Sequence, residues 1–345
     1  MLDIYKTREN AFELASEELN MDGRNHSTYS PIYISATENV KDLMKLYKNY
    51  ETVLSVGSAG AQGFEAALNG AHKVDLFDIN ELQRLYFEFM RTAIMVLDYN
   101  TFTKHFTIRS NNLKFQRHEF KDLLSEELYD KVVKYLPQDV ETVYTPLYDY
   151  FNSVDLVLSN LYRSDYSILL SYLKKNISFY NEDEYYKLQR ILRDETCKID
   201  YKTISLTEIP KEYKDKYDLI ILSNILQYYK EIANLNTIPL VERFIKELSK
   251  SLTEDGAMQV NYLYEVPALA FKDIYDPSFD RSFINPIIQF IIKQEAKTGV
   301  NIPLYESSDK YSYSCIRGVE KSILENPENV ILTYRNNKSN KIFTP

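Results

Sequence analysis

The chain has few of the residues that build disulfide frameworks, metal clusters or membrane spans. Its 345 residues include two Cys, Cys197 and Cys315, and four isolated His. Two cysteines cannot form a disulfide framework or a zinc cluster, and the histidines lack the spacing of metal ligands. No apolar run approaches the ~20 residues that span a bilayer, and the first residues lack the pattern of a signal peptide. We therefore predict a cytoplasmic protein without a metal site.

Basic residues are also in the minority, with 41 Lys and Arg against 50 Asp and Glu, for a net charge of -9. Such a balance argues against binding to a nucleic-acid backbone, which favours a basic surface. The nucleophile-elbow pattern of many hydrolases, G-x-S-x-G, is absent, which argues against that class. A chain of this length, with 44% hydrophobic residues, suits a nucleotide-binding core with an insertion or extra end segments.

Three of the only eight glycines cluster between residues 57 and 63. A short apolar run, Val53–Val56, precedes them, and an alanine-rich helical segment, Phe64–Leu68, follows. A second apolar run, Val74–Phe77, ends in Asp78. These patterns predict a strand, a glycine turn, a helix and a second strand parallel to the first.

A longer helix is predicted to follow Asp78. Apolar residues fall at 82, 85, 86, 89, 90, 93, 94 and 97, which is the spacing of one helical face. Asn80 lies at the N-cap position, and Gln83 three residues later completes a capping box. The stretch from Glu51 to Leu97 is therefore predicted to be a β-α-β-α unit.

This unit predicts a nucleoside site. Small residues after the first strand let backbone amides approach a ligand, and an acid at the end of the second strand can accept hydrogen bonds from ribose hydroxyls. Ala59 and Gln62 stand where a dinucleotide motif needs glycines, and the P-loop pattern also fails. S-adenosylmethionine is the commonest nucleoside cofactor without that phosphate requirement, whereas a turn that only packs is the alternative. The cofactor residues predicted here are Gly57, Ser58, Gly60, Gln62, Asp78, Ile79 and Asn80.

The same residues resemble a known family. The run VLSVGSAGAQGFEAALNGAHKVDLFDIN resembles motifs I and II of class I S-adenosylmethionine-dependent transferases. More narrowly, it resembles the branch that includes the 3-amino-3-carboxypropyl transferase of betaine-lipid synthesis and its uncharacterised bacterial relatives. YSPIYISATENV, YNEDEYYKLQRIL and YDLIILSNILQYY are further matches. The resemblance implies a Rossmann-like α/β fold with a mostly parallel seven-stranded sheet, an antiparallel edge and a helical insertion. Relatives often carry a polar or acidic residue where this chain has Ala61.

Three later strands complete the predicted core. In many relatives an acid at the end of the third strand, here Lys202–Leu206, holds the adenine amine, and Ser205 falls near that place. Tyr217–Ser223 reads as a buried parallel strand, and Asp218 at its amino end is predicted to be structural. The turn at residues 253–256 precedes a fifth strand, Ala257–Tyr262. The polar residues past the ends of these strands, where ligands of parallel sheets bind, are Ser223, Asn224, Gln227, Tyr228, Tyr262 and Glu265.

The sequence predicts three parts of the chain. Residues 51–97 and 199–345 form the cofactor-binding core, residues 1–50 form a helical cap, and residues 98–198 form a helical insertion that shapes the acceptor pocket. Within the insertion, helical patterns occur around Leu123–Tyr135 and Val154–Tyr172 and at Glu182–Arg193. The residues predicted to contact the acceptor are Tyr29, Tyr33, Tyr162, Arg163 and Tyr262, although packing roles for these side chains are the alternative.

The predicted reaction is displacement at a carbon of the cofactor's sulfonium, decided by where the acceptor is held. The resemblance favours transfer of the aminocarboxypropyl group to a small molecule or a lipid headgroup, with release of methylthioadenosine. Methyl transfer is one alternative, and a non-catalytic nucleoside-binding sensor or complex subunit is another. Tyr228 and Glu265 are the candidate catalytic groups for a hydroxyl acceptor, which needs a base. Peripheral contact with a membrane and the oligomeric state stay open.

Overall fold

The computed structural model of the protein describes residues 35–36, 39–45, 50–106, 126–142, 170–205, 208–214, 216–223, 225, 244, 247–260, 304–307, 311–317 and 330–336. The α-helices are α1 (Val40–Lys45), α2 (Ala61–Leu68), α3 (Glu81–Val96), α4 (Tyr99–His105), α5 (Glu126–Val132), α6 (Leu170–Asn176), α7 (Glu182–Arg193) and α8 (Ile209–Glu212). Short 3-10 turns lie at Val133–Tyr135, Ser178–Tyr180 and Ser249–Ser251. The strands are β1 (Thr52–Val56), β2 (Lys73–Asp78), β3 (Lys198–Thr203), β4 (Tyr217–Ile221), β5 (Leu252–Val260), β6 (Leu304–Ser307), β7 (Tyr311–Arg317) and β8 (Val330–Asn336).

The chain divides into two compact units. The first includes Val40–Leu46 and Gly57–Ile204, and the second includes Tyr47–Val56 and Ser205–Pro345. In the first unit, β2 and β3 pair in parallel with Asp78 opposite Thr203. The middle of β2, from Val74 to Phe77, is buried, and all of its residues except Asp75 are apolar, as is typical of a strand covered on both faces. Residues 170–193 of the predicted insertion therefore belong to the same unit as the glycine turn.

Helix α7 of the first unit covers the C-terminal ends of two earlier helices. Gln189 donates from Nε2 to the carbonyl oxygens of Ile94 and Leu97, at 2.7 and 2.8 Å. Arg193 and Lys187 donate likewise to carbonyl oxygens at the ends of α3 and α2. The last carbonyls of a helix have no partner within it, so these side chains supply the missing donors.

The second unit carries the other six strands, in the order β1-β4-β5-β8-β7-β6. The pairs β1–β4 and β4–β5 are parallel, and the three pairs from β5 to β6 are antiparallel. Asp218 joins the amino ends of this group, since its carboxylate accepts from the Thr52 amide at 3.0 Å and from the Thr253 hydroxyl at 3.0 Å. The structural role predicted for Asp218 is therefore confirmed.

The predicted α/β class with parallel βα units and an antiparallel edge is confirmed, with three differences. The edge contains three strands rather than a hairpin, so the described residues carry eight strands instead of seven. β3 begins at Lys198, four residues before the predicted start. The predicted turn at residues 253–256 is an irregularity inside β5, where the pairing register with β4 shifts.

Several predicted helices are found at or near their expected positions. The helix at Glu182–Arg193 has the predicted bounds, and α3 differs from its prediction by about one residue at each end. Within the described parts of the chain, no helix combines the length and the apolar character that crossing a membrane would require.

Candidate functional site

The turn after β1 is tight and held by its own backbone. The Gly57 amide donates to the Phe77 carbonyl oxygen at 2.7 Å, and the Gly60 amide donates to the Gly57 carbonyl oxygen at 2.7 Å. Ser58 and Gly60 have φ values of 41° and 81°, in the left-handed region. Gly60 is the N-cap of α2, and glycine adopts this conformation without the steric cost that a side chain brings.

Two aromatic rings fill the space that side chains at the glycines would occupy. A Cβ atom on Gly57 would lie 2.2 Å from Cζ of Tyr201, and one on Gly60 would lie 2.3 Å from Cδ2 of Phe87. The two rings contact each other, with centroids 5.1 Å apart. The sequence analysis assigned these glycines to the close approach of backbone amides to a ligand. The structure shows that each glycine also has an aromatic ring on its Cβ side, Tyr201 beside Gly57 and Phe87 beside Gly60.

Asp78, at the carboxyl end of β2, is fixed by the neighbouring backbone. Its Oδ2 accepts from the Ser58 amide at 3.2 Å, and its Oδ1 accepts from the Asn80 amide at 3.0 Å. Burial raises the pKa of Asp78 to about 6, although the amides of Asn80, Ser58 and Ile79 act in the opposite direction. Each carboxylate oxygen has two lone pairs, so the group retains capacity to accept further hydrogen bonds.

The side chains next to Asp78 differ in polarity. Ile79 is 47% exposed and presents apolar surface beside the carboxylate. Glu81 is buried and accepts from the Thr203 hydroxyl, and its Oε1 also accepts from Nε of Arg84 at 2.9 Å. Arg84 in turn contacts Asp139 at 2.6 Å. Glu81 is thus committed to a network within the fold, and Asp78 is the better placed acid to receive a ligand.

A second carboxyl group lies on α2. Glu65 is fully buried, and its Oε1 accepts from the Ser178 amide. Its Oε2 has no hydrogen-bond partner among the residues that the structure describes. Burial raises the pKa of Glu65 to about 7, against the opposing effects of the Ser178 hydrogen bond and of Lys41. Glu65 is therefore largely neutral below that pH.

The structure brings one group of the predicted cofactor residues together. Ser58 and Asn80 both bind Asp78, while Gln62 is buried in α2 just after Gly60 and Ala61. Ser205 and Ser223 belong to the second unit. The Ser205 hydroxyl donates to Glu208 at 2.9 Å, and Ser223 is buried with a φ of 47°. The other predicted site residues lie outside the described residues: Tyr29, Tyr33, Tyr162, Arg163, Asn224, Gln227, Tyr228, Tyr262 and Glu265.

Sequence reasoning missed the two rings beside the glycines. Tyr201 lies in β3, just before the predicted start of that strand. Phe87 lies in α3, and the predicted apolar face of that helix, which includes positions 86 and 89, does not include it. The glycines themselves were the available signal, because a glycine also marks close approach of a neighbouring group. Gln259 in β5 was also missed, although its side chain is 1% exposed and its Nε2 has no hydrogen-bond partner among the described residues.

Comparison with known proteins gives only distant likenesses. No protein-family model and no curated protein sequence matches the chain. An O-methyltransferase from Bacillus cereus, solved with SAH, superposes with a TM-score of 0.36 at 8% identity, over 96% of this chain and 91% of that one. The N-methyltransferase NodS from Bradyrhizobium japonicum, solved with S-adenosyl-L-homocysteine, gives 0.34 at 9% identity, over 95% and 98%. An rRNA methylase from Streptococcus thermophilus gives 0.32 at 8% identity, over 87% and 93%. These values are too low to assign a function.

Proposed function

We propose that this protein binds S-adenosylmethionine and transfers a group from its sulfonium to an acceptor. The observation that carries the proposal is the position of Asp78. This carboxylate lies at the carboxyl end of a parallel strand, held by the amide of a glycine turn that leads into a helix. Carboxylates in this position of an open α/β fold accept hydrogen bonds from a ribose.

The residues around Asp78 fit the other parts of a nucleoside cofactor. The exposed side chain of Ile79 offers apolar surface to a purine ring, and the first-turn amides of α2 suit the carboxylate of the methionine part. Asp78 is partly exposed, and its two oxygens keep lone pairs beyond the hydrogen bonds that they accept from Ser58 and Asn80. When bound, the cofactor would supply a sulfonium whose attached carbons are electrophilic. The protein's part is to bind that cofactor and to hold the acceptor in line.

The transferred group is the finer part of the proposal. The sequence resemblance favours the aminocarboxypropyl group, with a small molecule or lipid headgroup as acceptor. Methyl transfer is the second candidate, because the same cofactor serves both reactions. Tyr228 and Glu265 remain the proposed catalytic groups, and Ser205, Ser223 and Tyr262 remain proposed site residues.

The products of the cofactor test this proposal. The purified protein is incubated with S-adenosylmethionine, with and without small-molecule and lipid extracts from its own source, and the nucleosides are separated by chromatography. Methylthioadenosine that rises with extract supports aminocarboxypropyl transfer, and S-adenosylhomocysteine supports methyl transfer. Binding without either product favours a nucleoside-binding sensor, whereas absence of binding overturns the proposal. The Asp78→Ala variant is the control for product formed by contaminants.

A further inference from the structure

We infer that Tyr201 and Phe87 are positioning residues of the site, because their rings hold the glycine turn in the shape that orients Asp78. This inference rests on the proposed function for its link to the cofactor, but its steric part depends only on the packing around the glycine turn. It assigns to β3 and α3 a role in the site that neither the glycine motif nor the acid suggests.

The first step is the steric fit between Tyr201 and Gly57. A Cβ on Gly57 would lie 2.2 Å from Cζ, 2.3 Å from the hydroxyl oxygen and 2.4 Å from Cε2 of Tyr201. All three distances are far below van der Waals contact, so an alanine at 57 cannot coexist with the ring where it lies. Tyr201 is buried, and its ring packs against Phe87. The ring can therefore move aside only by losing that packing.

The second step links the ring to the carboxylate. The Tyr201 hydroxyl donates to the Ser58 carbonyl oxygen at 3.3 Å. The amide of the same residue, Ser58, donates to Oδ2 of Asp78. Ser58 has a positive φ, so a non-glycine residue is held in a conformation that the surroundings must maintain. A shift of Tyr201 is thus transmitted through Ser58 to Asp78.

The third step is the second glycine and the second ring. Gly60 would place a Cβ 2.3 Å from Cδ2 and 2.7 Å from Cε2 of Phe87. Phe87 also stacks on Phe64 of α2, with centroids 5.2 Å apart. The rings from β3 and α3 therefore meet both glycines of the turn, and Tyr201 acts on the site through Ser58.

A double-substitution cycle tests the inference. The proteins compared are the wild type, Gly57→Ala, Tyr201→Leu and the double variant, and the readouts are S-adenosylmethionine affinity by calorimetry and thermal unfolding. Leucine lacks the two ring carbons and the hydroxyl oxygen that would meet the new Cβ. We expect Gly57→Ala alone to weaken affinity by about tenfold or more, the size of effect that about 1.4 kcal/mol produces. The double variant should bind about as well as Tyr201→Leu alone, which shows that the cost of the methyl group came from the ring.

Two further variants separate positioning from general destabilisation. Tyr201→Phe keeps the ring and removes the hydroxyl, and we expect a loss of about two- to fivefold in affinity, in line with about 0.5–1 kcal/mol for a weak hydrogen bond. Gly70→Ala is the control for adding a methyl group at another glycine of the same unit, because a Cβ there meets no atom within 4 Å, and Gly70, unlike Gly57, has a positive φ, of 103°. Its effect on unfolding should not be relieved by Tyr201→Leu.

The outcomes distinguish this inference from the proposed function. If the wild type binds and the effects of Gly57→Ala and Tyr201→Leu simply add, the inference is overturned. If the wild type does not bind the cofactor, the proposed function fails, and the same cycle is then read from thermal unfolding. A coupling between residues 57 and 201 in that readout supports the steric part, and additive effects there overturn it.

Discussion

Asp78 and Glu65 are two acidic residues in the same unit, and their surroundings differ. Asp78 is partly exposed, and backbone amides of Asn80, Ser58 and Ile79 stabilise its charged form. Glu65 is fully buried, and its Oε2 has no hydrogen-bond partner among the described residues. Burial is the main cause of the raised pKa of both, to about 6 for Asp78 and about 7 for Glu65. The difference teaches which acid is better suited to a ligand, since Asp78 is mostly charged at neutral pH and belongs to a partly exposed residue.

Removal of Asp78 is expected to have the largest effect. Asp78→Ala deletes the acceptors proposed for the ribose, and two hydrogen bonds to a charged group are worth about 1.5–3 kcal/mol each, so affinity for S-adenosylmethionine should fall by about 10²- to 10⁴-fold. Calorimetry measures the affinity, and circular dichroism checks the fold. Asp75→Ala is the matched control, since Asp75 is an acid on the same strand that pairs with Lys73. Equal losses in the two variants would contradict the assignment.

Glu65 should control the pH dependence of stability. Its pKa is raised from 4.5 to about 7, so the stability that it contributes is fully present below 4.5 and is lost as the pH rises through about 7. The loss is at most about 3.5 kcal/mol, since one pKa unit corresponds to about 1.4 kcal/mol. Glu65→Gln cannot ionise and should flatten the profile of urea denaturation between about pH 6 and pH 8, above the pKa of Asp78.

The exposed Glu182 provides the control for this prediction. Glu182→Gln makes the same substitution in the first turn of α7 and should leave the pH profile of the wild type unchanged. A Glu65→Gln profile as steep as that of the wild type would show that another group titrates.

Cofactor binding should have its own, more acidic, pH dependence. The pKa of Asp78 is raised from 3.8 to about 6, so the carboxylate is lost as the pH falls below about 6, and affinity should drop by up to about tenfold per unit there. Calorimetry between pH 4.5 and pH 8 measures this drop. Asp78→Asn should abolish the pH dependence, and Glu65→Gln should preserve it. The reverse result would exchange the roles of the two acids.

The smallest expected effect comes from the charges around Glu65. Lys41 lowers the pKa of Glu65 and Glu184 raises it. Lys41→Gln should therefore raise the pKa and Glu184→Gln should lower it, each by about 0.3–0.5 units, because partly exposed charges interact by under about 1 kcal/mol. The carbon chemical shift of the Glu65 carboxyl, followed by NMR titration, gives both values. Shifts in the same direction would contradict the placement of these charges.

The elements nearest the glycine turn could be predicted because their signals are local. The apolar runs of β1 and β2 and the periodicity of α3 and α7 depend on residues within one element. The short strand β3 has only Ile199 and Tyr201 as buried residues, so its pattern is weak and its predicted position was shifted. The residues at 253–256 carry a turn signal, but pairing with β4 absorbs them as an irregularity of β5.

In the candidate site, too, the features with local sequence signals could be predicted and the long-range contacts could not. Asp78 follows from its position after a buried run, and the Ser58 amide that it binds is 20 residues away. Tyr201 is 143 residues from Ser58 in the chain, and no local pattern announces a contact over that separation. Packing decides which ring reaches the glycines, and packing is a property of the whole unit. The sequence therefore indicated the glycine turn and the acid of the candidate site but not the rings that pack against the turn.

The side chains of α7 that cover the end of α3 have a consequence for biosynthesis. Gln189 reaches the carbonyl of Ile94 from 95 residues further along the chain, and β3, which pairs with β2, comes later still. During translation, the apolar face of α3 and the open edge of β2 therefore stay uncovered until α7 and β3 have been synthesised. Uncovered surfaces of this kind favour aggregation. We expect a fragment that ends before Glu182 to aggregate on expression, so a minimal cofactor-binding fragment has to extend through Thr203.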